Sequence, residues 1–165
     1  MNNGILKSID KIHGFFAQHG LTLAVAESCT GGLISHWITS VAGASAFFRA
    51  GIIVYSREAK ENILAVSNKT IDTFGMVSRE TAVEMAEKVR LLAKTDCSVS
   101  STGNLGPDVL EGKERGLIYL AASRKGKTIT KQLVLEGSRA ENKEASSLAA
   151  LELLVELVEE EGQKR

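Results

Sequence analysis

The chain has 165 residues, 44% of them hydrophobic and 24% charged, with 20 Lys plus Arg against 20 Asp plus Glu. That length suits one domain with a sizeable core, and a formal net charge of zero argues against a general nucleic-acid surface, which needs a basic excess. Two cysteines, Cys29 and Cys97, and three histidines, His13, His19 and His36, supply neither a disulfide framework nor a zinc-type spacing.

Ile5, Ile9, Ile12 and Phe16 recur at helical spacing and predict an amphipathic helix ending at Gly20. Lys7, Asp10, Lys11 and His13 interrupt the same stretch, so it has no secretory apolar region. No apolar run reaches membrane-spanning length, so a reducing cytoplasm with no membrane partner is the expected setting. Leu21 to Ala26 fits a buried strand. Ile34, Trp37, Ile38 and Val41 mark the core face of a helix over Leu33 to Val41. Phe47 to Tyr55 reads as a second strand, and Ser56 caps a short helix through Leu64. After a polar connection, Ser78 caps another helix, with Ala82, Met85, Ala86, Val89 and either Leu92 or Ala93 on its buried stripe. Asp96 to Ser101 is a strand, and Leu110 to Arg115 a polar, mobile connection. Gly116 to Ser123 and Thr128 to Glu136 are strands joined by Arg124-Lys125-Gly126-Lys127, a link short enough to require antiparallel pairing. A last helix presents Leu148, Leu151, Val155 and Val158 before a charged, frayed tail.

Strands alternating with helices, followed by a hairpin, imply an α/β fold. The expected sheet is five-stranded, mixed and mostly parallel, with one antiparallel strand and helices on both faces. Ligands in such sheets sit beyond the carboxyl ends of the strands, where both Ser28 and Thr102 fall.

The stretch Ala26-Glu27-Ser28-Cys29-Thr30-Gly31-Gly32 carries the chemistry. It joins a strand to a helix through a tight turn of small residues, offering free N–H groups and the positive end of a helix dipole to an anion or a developing oxyanion. Position alone favours a helix cap for Ser28, and no G-x-S-x-G elbow is present. Cys29 reads as a small packing residue, since His36 lies roughly 10 Å along the helix axis. A nucleophilic Ser28 therefore needs a base from elsewhere. A lysine serves if its pKa falls from about 10.4 towards about 7–8. Lys60 stands in the first turn of its helix, where a cation opposes the dipole. Thr102-Gly103 and Gly106-Pro107 form a turn or a set of backbone donors for a nucleotide. Arg139 is either a surface arginine or a guanidinium for phosphate.

These residues together resemble the CinA C-terminal domain family, which includes nicotinamide-nucleotide amidohydrolases. The resemblance rests on the stretch from Ala26 to Gly32, Val54-Tyr55-Ser56 with Lys60, Met76-Val77-Ser78, and Thr102-Gly103 with Gly106-Pro107. It covers nearly the whole chain in order, so residues 1–165 are expected to be a single CinA C-terminal-like domain, without the family's N-terminal nucleotide-processing domain. It implies a three-layer α/β/α sandwich and hydrolysis of nicotinamide mononucleotide to nicotinic acid mononucleotide and ammonia, with no cofactor and no metal. Ser28 would be the nucleophile, Lys60 its base and Tyr55 a partner in moving the proton. Backbone N–H groups around Cys29, Thr30 and Gly31 would stabilise the oxyanion, with Gly32 completing the turn. Thr102, Gly103 and Arg139 would hold the nucleotide. The chain departs from the family pattern at Asn104-Leu105, at Lys113-Glu114-Arg115 and at Ser138 with Lys143, all on substrate-holding loops. Two further readings stand beside this one: a non-catalytic nucleotide-binding or regulatory module, and a DNA-competence accessory, which the neutral charge opposes. The apolar helix faces leave room for a homo-oligomer.

Overall fold

Ile5, Ile9, Ile12 and Phe16 are all buried along one side of α1, Asn3–His19, in a computed structural model that describes residues 1–163. Asn2 accepts the Ile5 N–H at its start, and Gly20 ends it at φ 63°, a left-handed conformation that glycine adopts without a Cβ penalty. Each large side chain on this stripe contributes on the order of 1.5–3 kcal/mol by leaving water.

The strands are β1 (Leu23–Glu27), β2 (Phe48–Ile53), β3 (Cys97–Gly103), β4 (Leu117–Arg124) and β5 (Lys127–Val134). They lie in the order β2-β1-β3-β4-β5. β1 pairs in parallel with β2 and β3, whereas β4 runs antiparallel to both β3 and β5. β4 alone therefore opposes the other strands, and the sheet is the mixed, mostly parallel one expected. The hairpin loop is only Lys125-Gly126, shorter than the expected link, with Gly126 at φ 79° closing the turn.

Helices cover both faces. On one, α1, α2 (Leu33–Thr39) and α6 (Arg139–Gly162) pack on Leu23, Val25, Val99, Ile118 and Leu120. On the other, α3 (Arg57–Leu64), α4 (Asn68–Phe74) and α5 (Arg79–Leu92) pack on Ala24, Ala26 and Ala121. Small residues on that second face bring α5 close. Ser98 and Ser100 of β3 donate to the carbonyls of Ala86 and Ala82 at 2.6 Å each, so their buried hydroxyls are satisfied.

Three details differ from expectation, and one open alternative is resolved. The polar connection after α3 contains α4, which buries only Ile71 and so leaves little periodic signal. Of Leu92 and Ala93, it is Ala93 that packs against the core, while Leu92 is exposed. Leu110 to Arg115, expected to be mobile, is tied down by Glu111 and Lys113, as described below. Glu159 and Glu160 of the expected frayed tail pair with Lys11 and Lys127; residues 164 and 165 lie outside the described residues. Among the described residues no helix is long and apolar enough to cross a membrane.

Candidate active site

Three chain segments meet at the carboxyl ends of β1, β2 and β3. β1 continues past Glu27: the Ser28 N–H donates to Ser101 O at 3.0 Å, and the Ser28 carbonyl accepts the Gly31 N–H at 3.1 Å. These bonds fix Ser28 at the tip of the strand. β2 continues as far as Val54, whose N–H donates to Glu27 O at 2.9 Å. Tyr55 then turns the chain, and Ser56 starts α3 by accepting the Ala59 N–H at 3.1 Å. That cap directs Lys60 back across the end of β1.

Lys60 is 1% exposed. Its Nζ donates to Ser28 Oγ at 2.9 Å and to Val54 O at 3.0 Å. Burial lowers its pKa from 10.5 to about 8, outweighing the opposing charge of Glu111. The structure thus brings the expected hydroxyl and amine into direct contact. Cys29, adjacent and 6% exposed, behaves oppositely: burial raises its thiol pKa to about 12 against the pull of Ser101 and Lys60. It stays neutral and serves as a packing residue. His36 is exposed on α2 and His13 bonds Ile38 O at 3.0 Å, so neither reaches Ser28.

The turn after Ser28 corrects one expectation. The start of α2 does not hold out free N–H groups to an external anion, because the chain's own Glu27 takes that place. This fully buried carboxylate accepts from the N–H groups of Gly32 (3.2 Å), Ile34 (3.0 Å) and Ser35 (3.0 Å). It also accepts from the hydroxyls of Thr30 (2.6 Å) and Ser35 (2.8 Å). Thr30 bonds in turn to Ser101 Oγ at 2.7 Å. Glu27 therefore caps α2 from within and anchors the turn. The Gly31 N–H is also engaged, by Ser28 O, which leaves the Thr30 N–H, and the Cys29 N–H apart from its own thiol, without an acceptor among the described residues. Gly31 sits under the Lys143 ammonium, 3.2 Å from where a Cβ would stand, and Gly32 lies against Ile53.

Ser28 and Cys29 form the floor of a cleft of about 210 Å³, with Tyr55, Gly103, Asp108 and Arg139 also lining it. Tyr55 is 61% exposed, and its hydroxyl bonds to neither Ser28 nor Lys60. It accepts from Arg139 Nη2 at 2.8 Å, while Arg139 Nη1 donates to Gly106 O at 2.7 Å. A Cβ on Gly103 would stand 2.6 Å from Leu117 O, so only glycine lets β3 and β4 meet there. Thr102 is buried beside the cleft rather than lining it, with its hydroxyl donated to Met76 O at 2.8 Å.

The cleft's far wall is the loop after β3. Asn104, 3% exposed, organises it: Oδ1 accepts Leu110 N–H at 3.0 Å, and Nδ2 donates to Leu110 O at 3.3 Å and Lys113 O at 3.4 Å. Glu111 accepts the N–H groups of Met76 and Val77, each at 2.8 Å. Lys113 donates to Phe74 O at 2.7 Å and Val77 O at 2.6 Å. Asn142 of α6 donates to Leu105 O at 3.0 Å. Sequence reasoning assigned no role to Glu27, Glu111 or Asn142, and marked Asn104 only as a departure on a substrate-holding loop. Only Glu27 carried a signal, as an acid followed by two glycines and the start of a helix.

Residues 6–158 match the CinA C-terminal domain. A relative from Caldanaerobacter subterraneus subsp. tengcongensis is 47% identical over 138 residues, 83% of this chain and 34% of its own length. A "CinA-like protein" of Kosmotoga olearia is 45% identical over 136 residues, 82% of this chain and 33% of the relative. The chain thus spans about a third of the length of these curated relatives. Among solved structures, a competence/damage inducible protein from Agrobacterium tumefaciens superposes with TM-score 0.91 at 34% identity, covering 95% of this chain and 97% of that one. A competence or damage-inducible protein from Enterobacter asburiae does so with TM-score 0.91 at 31% identity, covering 95% and 99%. With the family model matching residues 6–158 and the whole fold in agreement, the chain belongs to the CinA C-terminal domain family.

Proposed function

We propose that this protein is an amidohydrolase acting on the carboxamide of a pyridine nucleotide, nicotinamide mononucleotide, through Ser28 and Lys60. The observation that carries the reading is the 2.9 Å contact between Lys60 Nζ and Ser28 Oγ, made by an amine whose pKa burial has brought to about 8. With one N–H donated to Val54 O, the neutral amine has its lone pair free for the Ser28 hydroxyl proton.

Ser28 Oγ attacks the carboxamide carbon while its proton passes to Lys60 Nζ. The carbonyl oxygen becomes an oxyanion, for which the Thr30 N–H is an available donor. Collapse breaks the C–N bond, and the proton on Lys60 leaves with ammonia, giving an ester on Ser28. Water then attacks that ester, loses a proton to Lys60 and releases the carboxylate, and Lys60 returns the proton to Ser28. Arg139 at the cleft mouth suits the substrate phosphate. Tyr55, bonded to Arg139, fits a part in orienting that guanidinium; a part in proton movement requires its side chain to swing towards Ser28.

Chromatography of nicotinamide mononucleotide incubated with the protein tests this. Nicotinic acid mononucleotide and stoichiometric ammonia are expected, both lost in Ser28→Ala and in Lys60→Ala while each variant still melts cooperatively. Saturable binding without product, unchanged by Ser28→Ala, overturns the hydrolase in favour of a nucleotide-binding module.

A further inference from the structure

At the opposite end of the sheet from Ser28 lies a second cleft, of about 320 Å³. Cys97 and Gly103 bound β3, so a strand length of about 20 Å separates the two clefts. Arg90, from the last turn of α5, lines this one together with Arg124 and Lys125 from the β4–β5 hairpin. One acid, Asp96, also faces it. Its Oδ2 already accepts both the N–H and the hydroxyl of Thr22, each at 2.8 Å.

The three cations lack carboxylate partners. No salt bridge joins Arg90, Arg124 or Lys125 to an acid among the described residues. Lys127, two residues beyond Lys125, pairs with Glu160 and shows the contrast. Arg90 Nε reaches only Ser123 Oγ, at a long 3.4 Å. Arg124 Nε is buried with no hydrogen-bond partner, the single such side-chain atom among the described residues. A guanidinium N–H buried without a partner is costly, and like charges crowded at one cleft repel. A bound oxyanion relieves the crowding of like charge, and the planar fork of an arginine matches phosphate geometry.

We propose that this cleft is a binding site for a small phosphate-class anion, held by the guanidinium groups of Arg90 and Arg124 with Lys125 at its rim. The proposal stands independently of the amidohydrolase reading, since it shares no residue with the Ser28 cleft. The anion is either free, as phosphate or pyrophosphate, or carried on a nucleotide.

The full chain, labelled with nitrogen-15, is titrated at constant ionic strength with sodium phosphate, sodium pyrophosphate and adenosine 5′-monophosphate in turn. Saturable amide shifts are expected at Asp96 and across residues 124–127. Binding is expected to weaken at least tenfold in Arg124→Gln and Arg90→Gln and severalfold in Lys125→Gln, and to be unchanged in Arg139→Gln. Lys125 sits on the exposed turn, so its variant decides the matter if either arginine variant fails to fold. Tighter binding of pyrophosphate identifies a free anion, and tighter binding of the nucleotide an organic phosphate. The proposal is overturned if none of the three probes produces saturation in this region. It is equally overturned if saturation survives the Lys125 and arginine variants unchanged.

Discussion

The two walls of the Ser28 cleft are built in opposite ways. The turn after β1 is held by near neighbours: every bond to the Glu27 carboxylate comes from a residue three to eight positions away. The loop after β3 is held from afar, by Glu111 and Lys113 reaching back 34 to 39 residues to the end of α4 and the segment after it. The turn that carries Ser28 is thus locally encoded, although Lys60 reaches it from 32 positions away. The loop after β3 is a strap whose anchors lie on another element. Such an arrangement lets the strap vary in sequence without disturbing the serine, and the departures at Asn104-Leu105 and Lys113 fall there.

The largest effect is expected from breaking the local half. Glu27→Ala leaves three N–H groups and two hydroxyls without their buried acceptor, at a cost of about 4 kcal/mol or more. Urea melts measure this, and a loss below about 1 kcal/mol contradicts the anchoring role of Glu27.

Lys60 gives the next largest change, and in the opposite direction. Burying an amine so that its pKa drops from 10.5 to about 8 opposes folding at neutral pH by about 3 kcal/mol. Lys60→Met is therefore expected to abolish turnover while raising stability at pH 7, by at most that amount. Between about pH 8 and 10.5 the unfolded parent chain binds the extra proton, so parental stability rises with pH in that window and is flat below it. The methionine variant lacks that rise, which melts at pH 7 and pH 9.5 can check. In the parent protein the neutral fraction of Lys60 grows about tenfold between pH 7 and pH 9. The pH profile of kcat/KM is expected to follow it with a midpoint near 8; a flat profile across this range excludes Lys60 as the base.

Loosening the strap is smaller. Glu111→Gln weakens the bonds from Met76 and Val77 and is expected to cost about 1–2 kcal/mol. It should raise KM more than it lowers kcat; equal stability and an unchanged KM contradict the strap. Smallest is Tyr55→Phe, which removes an exposed bond to Arg139 and changes stability by less than about 1 kcal/mol. A kcat loss with unchanged KM supports proton movement by Tyr55, whereas a rise in KM alone supports its holding of Arg139.

Much of this was legible from sequence because it follows from periodicity and from contacts close along the chain. The stripe on α1, the caps at Ser56 and Ser78, and the hairpin are local facts, and tertiary packing left them in place. The wholly buried β1 read as a continuous apolar run for the same reason. α4 was not legible because one buried residue, Ile71, gives no period. Glu27 was visible as a letter but not as a cap, since an acid at the end of an apolar strand shows its role only when the turn folds over it.

The sequence by itself determined which residues could do chemistry and roughly where each element began, since both depend on side-chain type and short-range spacing. Tertiary structure alone decided that Lys60 lies against Ser28, 32 positions away, and that Tyr55 turns to Arg139 instead. It also brought Arg90 beside Arg124. The physical reason is that desolvation and long-range hydrogen bonding arise from packing, and packing acts only when distant segments share one sheet.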